Sequence, residues 1–309
     1  MSSIKNMNIA IIGSGVSGLV SSLILSRKHN IEIFEKNSYI GGHVHTHKLN
    51  DGDEVFNVDS GFIVYNENTY PNFIKLMKLL NVKTQNTSMG FSYTDDNDFE
   101  YSGNSINSLF AKKTNFLNVK FYLFLYNILK FNKIALNDLD DLDIELKLID
   151  YLKNNKISNN LIEKYIIPMG SAIWSTDPDT MKNMPAKFFI RFFKNHGLLD
   201  IRNRPQWKVV KNGSFQYVKK IYKELKKNDA KIYLDHTVNE VRRDKDNVII
   251  KIEGKGEKHF DKVIFACHSN QALRLLKDST LDEKNILGDI QYQKNIATIH
   301  TDISILPKR

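Results

Sequence analysis

Asn8-Ile-Ala-Ile-Ile12 is an unbroken apolar run, the pattern of a strand buried on both faces. After it, Val16, Leu19, Val20, Leu23 and Ile24 recur at helical spacing, and Ile31-Glu-Ile-Phe34 reads as a second strand. A β-α-β unit within about 30 residues has the expected size. From Thr69 the period is helical again, with Thr69 as cap, Pro71 in the first turn and Phe73, Leu76, Leu79 and Leu80 as the apolar face. Ser105 to Phe193 reads as mainly helical, punctuated by Pro168, Gly170, Pro178 and Pro185. Beyond Trp207 the β/α character returns. Phe215, Val218, Ile221, Tyr222 and Leu225 mark an amphipathic helix, and Lys231 to Leu234 a strand. Val238 to Val241, Val248 to Ile252 and Lys258 to Phe260 read as a small antiparallel meander turning at Gly254-Lys-Gly256. Val263 to Ala266 is another buried strand, Gln271 to Leu276 a helix or turn, and Thr298 to Ile305 alternates as a strand does. The pattern predicts an α/β protein with a mainly helical segment inserted into it.

Gly13-Ser-Gly15-Val-Ser-Gly18 lies between the first strand and the first helix. In that position Gly13 permits the tight turn, Gly15 lets a pyrophosphate approach the main chain, and Gly18 lets the helix pack closely on the sheet. The free N–H groups and dipole of the helix N-terminus favour the phosphates. Glu35 closes the second strand, where an acid accepts hydrogen bonds from a ribose diol and repels a 2′-phosphate. Gly41-Gly42-His43 follows almost at once. A second glycine turn there suits the far phosphate or ribityl chain of a longer dinucleotide, which favours FAD over NAD alone.

Composition narrows the picture further. The 309 residues suggest two domains. The formal charge is +9, but the lysines are scattered with no compact basic block, so nucleic acid is not an expected partner. Cys267 is the only cysteine, which excludes an intrachain disulfide and a multi-thiolate zinc site and suits a reducing, cytoplasmic setting. The N-terminus has no apolar signal core. The run Phe116 to Phe131 is broken by Asn118, Lys120, Asn127 and Lys130, so no spanning helix is expected.

The sequence resembles the flavin-containing amine oxidase and phytoene desaturase superfamily, and more narrowly the bacterial amine-oxidase-like FAD/NAD-binding flavoproteins. The similar stretches are Ile9 to Gly18, Phe34 to His43, Val58 to Asn66, Pro168 to Ser175, Asn195 to Leu199, Arg204 to Trp207 and Val263 to Leu276. The resemblance implies a Rossmann-like FAD-binding domain, a parallel sheet plus β-meander, with an inserted substrate domain. On that basis residues 1–68 and 205–276 would form the FAD-binding domain, 69–204 the helical substrate or cap domain, and 277–309 the start of the substrate-domain sheet. Gly13, Ser14, Gly15, Ser17 and Gly18 would hold the pyrophosphate. Glu35 would bind the adenosine ribose with Lys36 beside it, and the main chain of Val238 would meet adenine. Gly42 and His43 would lie near the flavin, and Asp59, Gly61 and Phe62 would line the approach to its ring. Such relatives carry a late Gly-Asp or Gly-Glu element over the flavin that is not found here, so a truncated chain is expected.

The implied activity is FAD-dependent oxidation, with hydride passing from a substrate C–H bond to flavin N5. The expected substrate is a small molecule of apolar or lipid-like character. Two alternatives stay open: a flavin-using isomerase or mutase without net redox change, and a non-catalytic flavin-binding fragment. Trp174, His196, Arg204 and Trp207 are the candidate active-site residues. His43, His45 and His47 alternate, but the glycine turn already explains their position and no metal is expected. Cys267 reads as a packing residue. Phe116 to Phe131, rich in aromatics and lysine, reads as a helix covering the substrate cavity, with a peripheral membrane contact as the other reading.

Overall fold

The structure is a computed structural model that describes residues 5–95, 99–103, 105–200 and 204–305. The chain divides into two compact units. Unit 1 comprises Met1–Ile63, Phe73–Gln85 and Val209–Lys294, and unit 2 comprises Val64–Asn72, Asn86–Lys208 and Asn295–Arg309. Residues 73–85, expected in the inserted segment, thus cluster with unit 1.

Unit 1 is built on a four-stranded parallel sheet. Strand β1 (Asn8–Ile12) pairs on one side with β2 (Asn30–Phe34) and on the other with Lys262–Phe265; Lys231–Tyr233 adds to the far edge of β2. Helix α1 (Val16–Leu25) connects β1 to β2 and buries Leu19 and Leu23. Ala10 and Ile11 are fully buried, as an apolar run in a central parallel strand requires. Because the chain leaves β1 in one direction and later returns to its other side, β1 marks the switch in strand order. Ligands of open α/β sheets bind beyond the strand ends at such a switch. The meander Val238–Asp244, Asn247–Ile252 and Gly256–Phe260 is antiparallel. Its Val241, Ile250 and Phe260 share a core with Ala10 and Phe34.

Unit 2 is dominated by helices and an aromatic core. The longest helix, Val119–Asp138, places Phe121, Phe124 and Phe131 in the core, and Ala186–Asn195 places Phe189 and Phe193 there. One local departure has a clear cause. Pro168 has no N–H and its ring crowds the carbonyl four residues back, that of Lys164. The chain answers with a π-turn at Ile162–Ile166, in which the Ile167 N–H reaches the Ile162 carbonyl. The Lys164 carbonyl accepts instead from the Tyr101 hydroxyl at 2.9 Å. Burial, chiefly, pushes the Tyr101 hydroxyl pKa far up, so it stays a donor.

Three elements differ from expectation. Thr46–Asp51 and Glu54–Asp59 form an antiparallel hairpin whose two-residue turn is Gly52-Asp53, with Gly52 at φ +60°. Leu281–Asp289 is a helix opened by a capping box between Thr280 and Glu283. Thr298 to Ile305 is not a strand, and the described residues of 277–309 hold the helix Leu281–Asp289 and a 3-10 turn at Ile303–Ile305 but no strand. Alternation stabilises a strand only when one face is covered and an edge is paired. Here Ile296 and Ile303 are exposed.

Candidate functional site

Four segments of unit 1 meet at the carboxyl end of the parallel sheet. The Gly13 N–H donates to the Phe34 carbonyl, Ala266 N–H to the Ile12 carbonyl, and Gly41 N–H to the Ser14 carbonyl at 3.0 Å. The loop after β1, the residues after β2, the Gly41-Gly42 turn and the end of strand Lys262–Phe265 are thereby tied together by main chain.

The three motif glycines do different jobs. Gly13 has φ +103°, and a Cβ on it would lie 2.5 Å from the Ala266 carbonyl oxygen. A Cβ on Gly18 would lie 2.0 Å from the Gly13 carbonyl oxygen. Both are required by close approach of protein to protein. Gly15 differs: its φ is −66° and its Cβ would meet nothing within 4 Å. Nothing in the protein demands glycine there. Gly15 is also the N-cap of α1 and offers no side-chain acceptor, so no capping side chain occupies the N–H groups of the first turn.

The second glycine turn lies against this loop. Gly42, at φ +61°, would bring a Cβ to 2.9 Å from the Gly15 Cα. A Cβ on Gly61 would collide with the His43 carbonyl oxygen at 1.8 Å, which explains the third small residue of this region. His43 is exposed and stacks on His268 at 5.7 Å between ring centroids; His268 stacks in turn on Tyr292 at 4.4 Å. Burial first, then His43 and Lys36, lowers the His268 pKa, which favours the neutral ring. Burial raises the Cys267 thiol pKa despite Arg274 and Lys36 nearby, which fits a packing residue. His268 is the residue that sequence reasoning passed over. Its position directly after a buried parallel strand was the available signal.

Glu35 is buried and braces the loop. One carboxylate oxygen accepts from the Ser14 N–H at 2.9 Å and the Ser14 hydroxyl at 2.7 Å; the other accepts from the Asn37 N–H at 2.9 Å. A carboxylate offers about four acceptor positions, so some capacity remains. Ser14 is fully buried, whereas Ser17 and Lys36 are exposed. Val238 is buried at the start of its strand, just after His236, whose N–H donates to the Glu35 carbonyl.

Asp59 anchors the start of a helix. Its carboxylate accepts from the Thr46 hydroxyl and from both the N–H and hydroxyl of Ser214, capping helix Phe215–Lys227. The Phe62 ring packs edge-on against Phe73 at 5.1 Å. His45 and His47 lie 4.1 Å apart by centroid, and His47 Nε2 is hydrogen-bonded to Ser60. No group of three or more His, Cys, Asp or Glu able to hold a metal occurs among the described residues.

The four candidate active-site residues belong to unit 2 and fall into two places. Trp174 packs on Phe192 at 4.5 Å, and Phe192 stacks on His196 at 3.8 Å. The His196 Nδ1 lies 2.9 Å from the Phe192 carbonyl. Arg204 is exposed and donates to the carbonyls of Asp200 and Gly103, while Trp207 pairs with Asn66 on a short strand.

The family model for flavin containing amine oxidoreductase matches residues 16–300, and the chain belongs to this family. FAD is the cofactor of such proteins, and the α/β FAD-binding fold is theirs. Solved structures agree in fold. A CLA-producing fatty acid isomerase from P. acnes superposes with a TM-score of 0.64 at 15% identity, over 93% of this chain and 64% of that one. Putrescine oxidase bound to putrescine gives 0.64 at 15% identity, over 92% and 63%. An oxidoreductase from Methanosarcina mazei gives 0.63 at 15% identity, over 92% and 66%. The chain thus spans less than two thirds of each of these structures. No curated protein sequence matches it. No helix among the described residues is long and apolar enough to cross a membrane.

Proposed function

We propose that this chain is an FAD-dependent oxidoreductase of the amine oxidase and desaturase type, acting on a small apolar or lipid-like molecule. The observation that carries this reading is the unequal need for glycine at Gly13, Gly15 and Gly18. Two are occupied against by the protein itself, and the third is kept bare over open space at the first turn of α1. A diphosphate resting on Gly15 accounts for that residue.

In this reading the loop 13–18 cradles the diphosphate: Gly15, Ser17 and the α1 dipole meet it, while Gly13 and Ser14, whose N–H groups are bound to the Phe34 carbonyl and the Glu35 carboxylate, and Gly18 hold the loop in shape. Gly42 holds its turn against the same loop. Glu35 keeps the loop in shape and directs its remaining acceptor capacity to a ribose diol, with Lys36 adding positive charge at the rim. Val238 contributes main chain toward adenine. His43, Gly61 and Phe62 stand toward the flavin end. Bound FAD supplies the hydride acceptor, its N5 position, for a substrate C–H bond. Protein groups bind, orient and exclude water. The aromatic character of unit 2 supports an apolar substrate.

The test is direct. The purified chain should carry oxidised-flavin absorption or take it up from added FAD. Gly15→Val should abolish uptake while leaving thermal unfolding of the apoprotein unchanged. Equal flavin uptake by the variant would remove the diphosphate assignment. The similarity to a fatty acid isomerase supports a second reading, flavin-assisted isomerisation. Consumption of oxygen or another acceptor in step with substrate separates oxidation from isomerisation.

A further inference from the structure

Helix Val119–Asp138 in unit 2 is apolar on two faces. One face enters the core, as described. On the other, Val119, Tyr122, Leu123 and Tyr126, spaced i, i+3, i+4 and i+7, are exposed. The turn before the helix, Lys113–Leu117, adds Phe116 at 54% and Leu117 at 92% exposure. The patch is pre-shaped. Asn118 caps the helix by accepting from the Lys120 and Phe121 N–H groups, the Tyr122 hydroxyl donates to the Phe116 carbonyl, and Phe110 stacks on Phe116 at 4.4 Å. Contiguous exposed apolar surface of this kind marks an interaction site.

The charge around the patch identifies the partner. From Lys112 to Asn137 the sequence has five lysines and no Asp or Glu. Lys113, Lys120, Lys130 and Lys133 are exposed, and none forms an ion pair among the described residues. Acidic residues resume only at Asp138, Asp140, Asp141 and Asp143, where the helix ends. Apolar and tyrosine side chains ringed by lysines suit the boundary of a bilayer, where the rings enter the headgroup layer and the ammonium groups meet phosphate.

We propose that the turn Lys113–Leu117 and the amino-terminal half of the long helix dock this protein on an anionic lipid bilayer. The helix lies in the headgroup plane and does not cross it. Its acidic carboxyl end is repelled by the same surface, so the amino-terminal half enters deeper. This docking does not depend on flavin, and its failure would leave the cofactor reading untouched.

The experiment is co-sedimentation of the chain with vesicles of phosphatidylcholine alone and of phosphatidylcholine mixed with phosphatidylglycerol. Binding is expected to the anionic vesicles, weak to the neutral ones, and weakened by salt. Leu123→Glu combined with Tyr126→Glu should abolish it. Each of Lys120→Gln and Lys130→Gln should lower the partition coefficient about fivefold. Ile286→Glu, at an exposed apolar residue of unit 1, should bind as the parent does. Both tryptophans lie in unit 2, so their emission verifies that the variants keep its fold. Absence of binding to anionic vesicles, or undiminished binding by the double glutamate variant, overturns the proposal. So does self-association without lipid that the same double variant abolishes, since a second copy would then cover the face.

Discussion

The two units are specified in different currencies. In unit 1 the decisive constraints are on the main chain: carbonyl oxygens of Gly13, His43 and Ala266 pass so close to glycines that no side chain fits. In unit 2 the constraints are on side chains, with phenylalanines and tyrosines filling a helical core and one hydroxyl serving a carbonyl that a proline has orphaned. Main-chain constraints leave a short signature in sequence because only glycine meets them. Side-chain packing can be met by many residues, and its partners are far apart along the chain.

The largest expected effect tests the main-chain side. Gly18→Val should cost unit 1 about 3 kcal/mol or more, because its Cβ must displace backbone rather than a flexible side chain. Hydrogen exchange in Asn8–Ile12 and Lys262–Phe265 would register the loss of protection. If Gly18→Val were as stable as Gly15→Val, the distinction between protein-enforced and ligand-enforced glycines would disappear. A smaller effect tests the side-chain side. Tyr101→Phe leaves the Lys164 carbonyl without its donor and should destabilise unit 2 by about 1–2 kcal/mol in a denaturant titration followed by tryptophan emission. An unchanged midpoint would show that the π-turn satisfies itself.

The smallest effect is electrostatic and belongs to unit 1. Hydrogen bonds from Arg243 and then from the Thr280 N–H pull the Glu283 carboxyl from its ordinary 4.5 down to about 2. A depressed carboxylate adds stability above its unfolded pKa and loses that share as pH falls toward the folded value. Protection of helix Leu281–Asp289 should therefore decline between about pH 4.5 and 2, and Glu283→Gln should remove that dependence.

Much of unit 1 was legible in sequence. The run Ile9 to Ile12, the spaced glycines and Glu35 revealed the first crossover because each follows from a local rule. The double task of Glu35 was not legible, since its bracing of Ser14 depends on how the loop folds back over β2. The hairpin Thr46–Asp59 was passed over although the turn pair Gly52-Asp53 announces it, as was the capping box at Thr280. The alternation at Thr298 misled because periodicity says nothing of whether a neighbouring strand exists. In unit 2 the helical character was readable, yet the Tyr101–Lys164 contact joins residues 63 apart, and no local pattern encodes it.

The pairing of β1 with Lys262–Phe265 has a consequence for biosynthesis. Asn8 and its partner Asp261 are separated by 253 residues. At ribosomal speeds the first strand emerges about 10–50 s before the strand that will cover its second edge. During that interval an apolar ribbon stands half-dressed while the helical unit has all the time it needs to consolidate. Chaperone demand during translation should thus concentrate on the segment from Asn8 to Phe34.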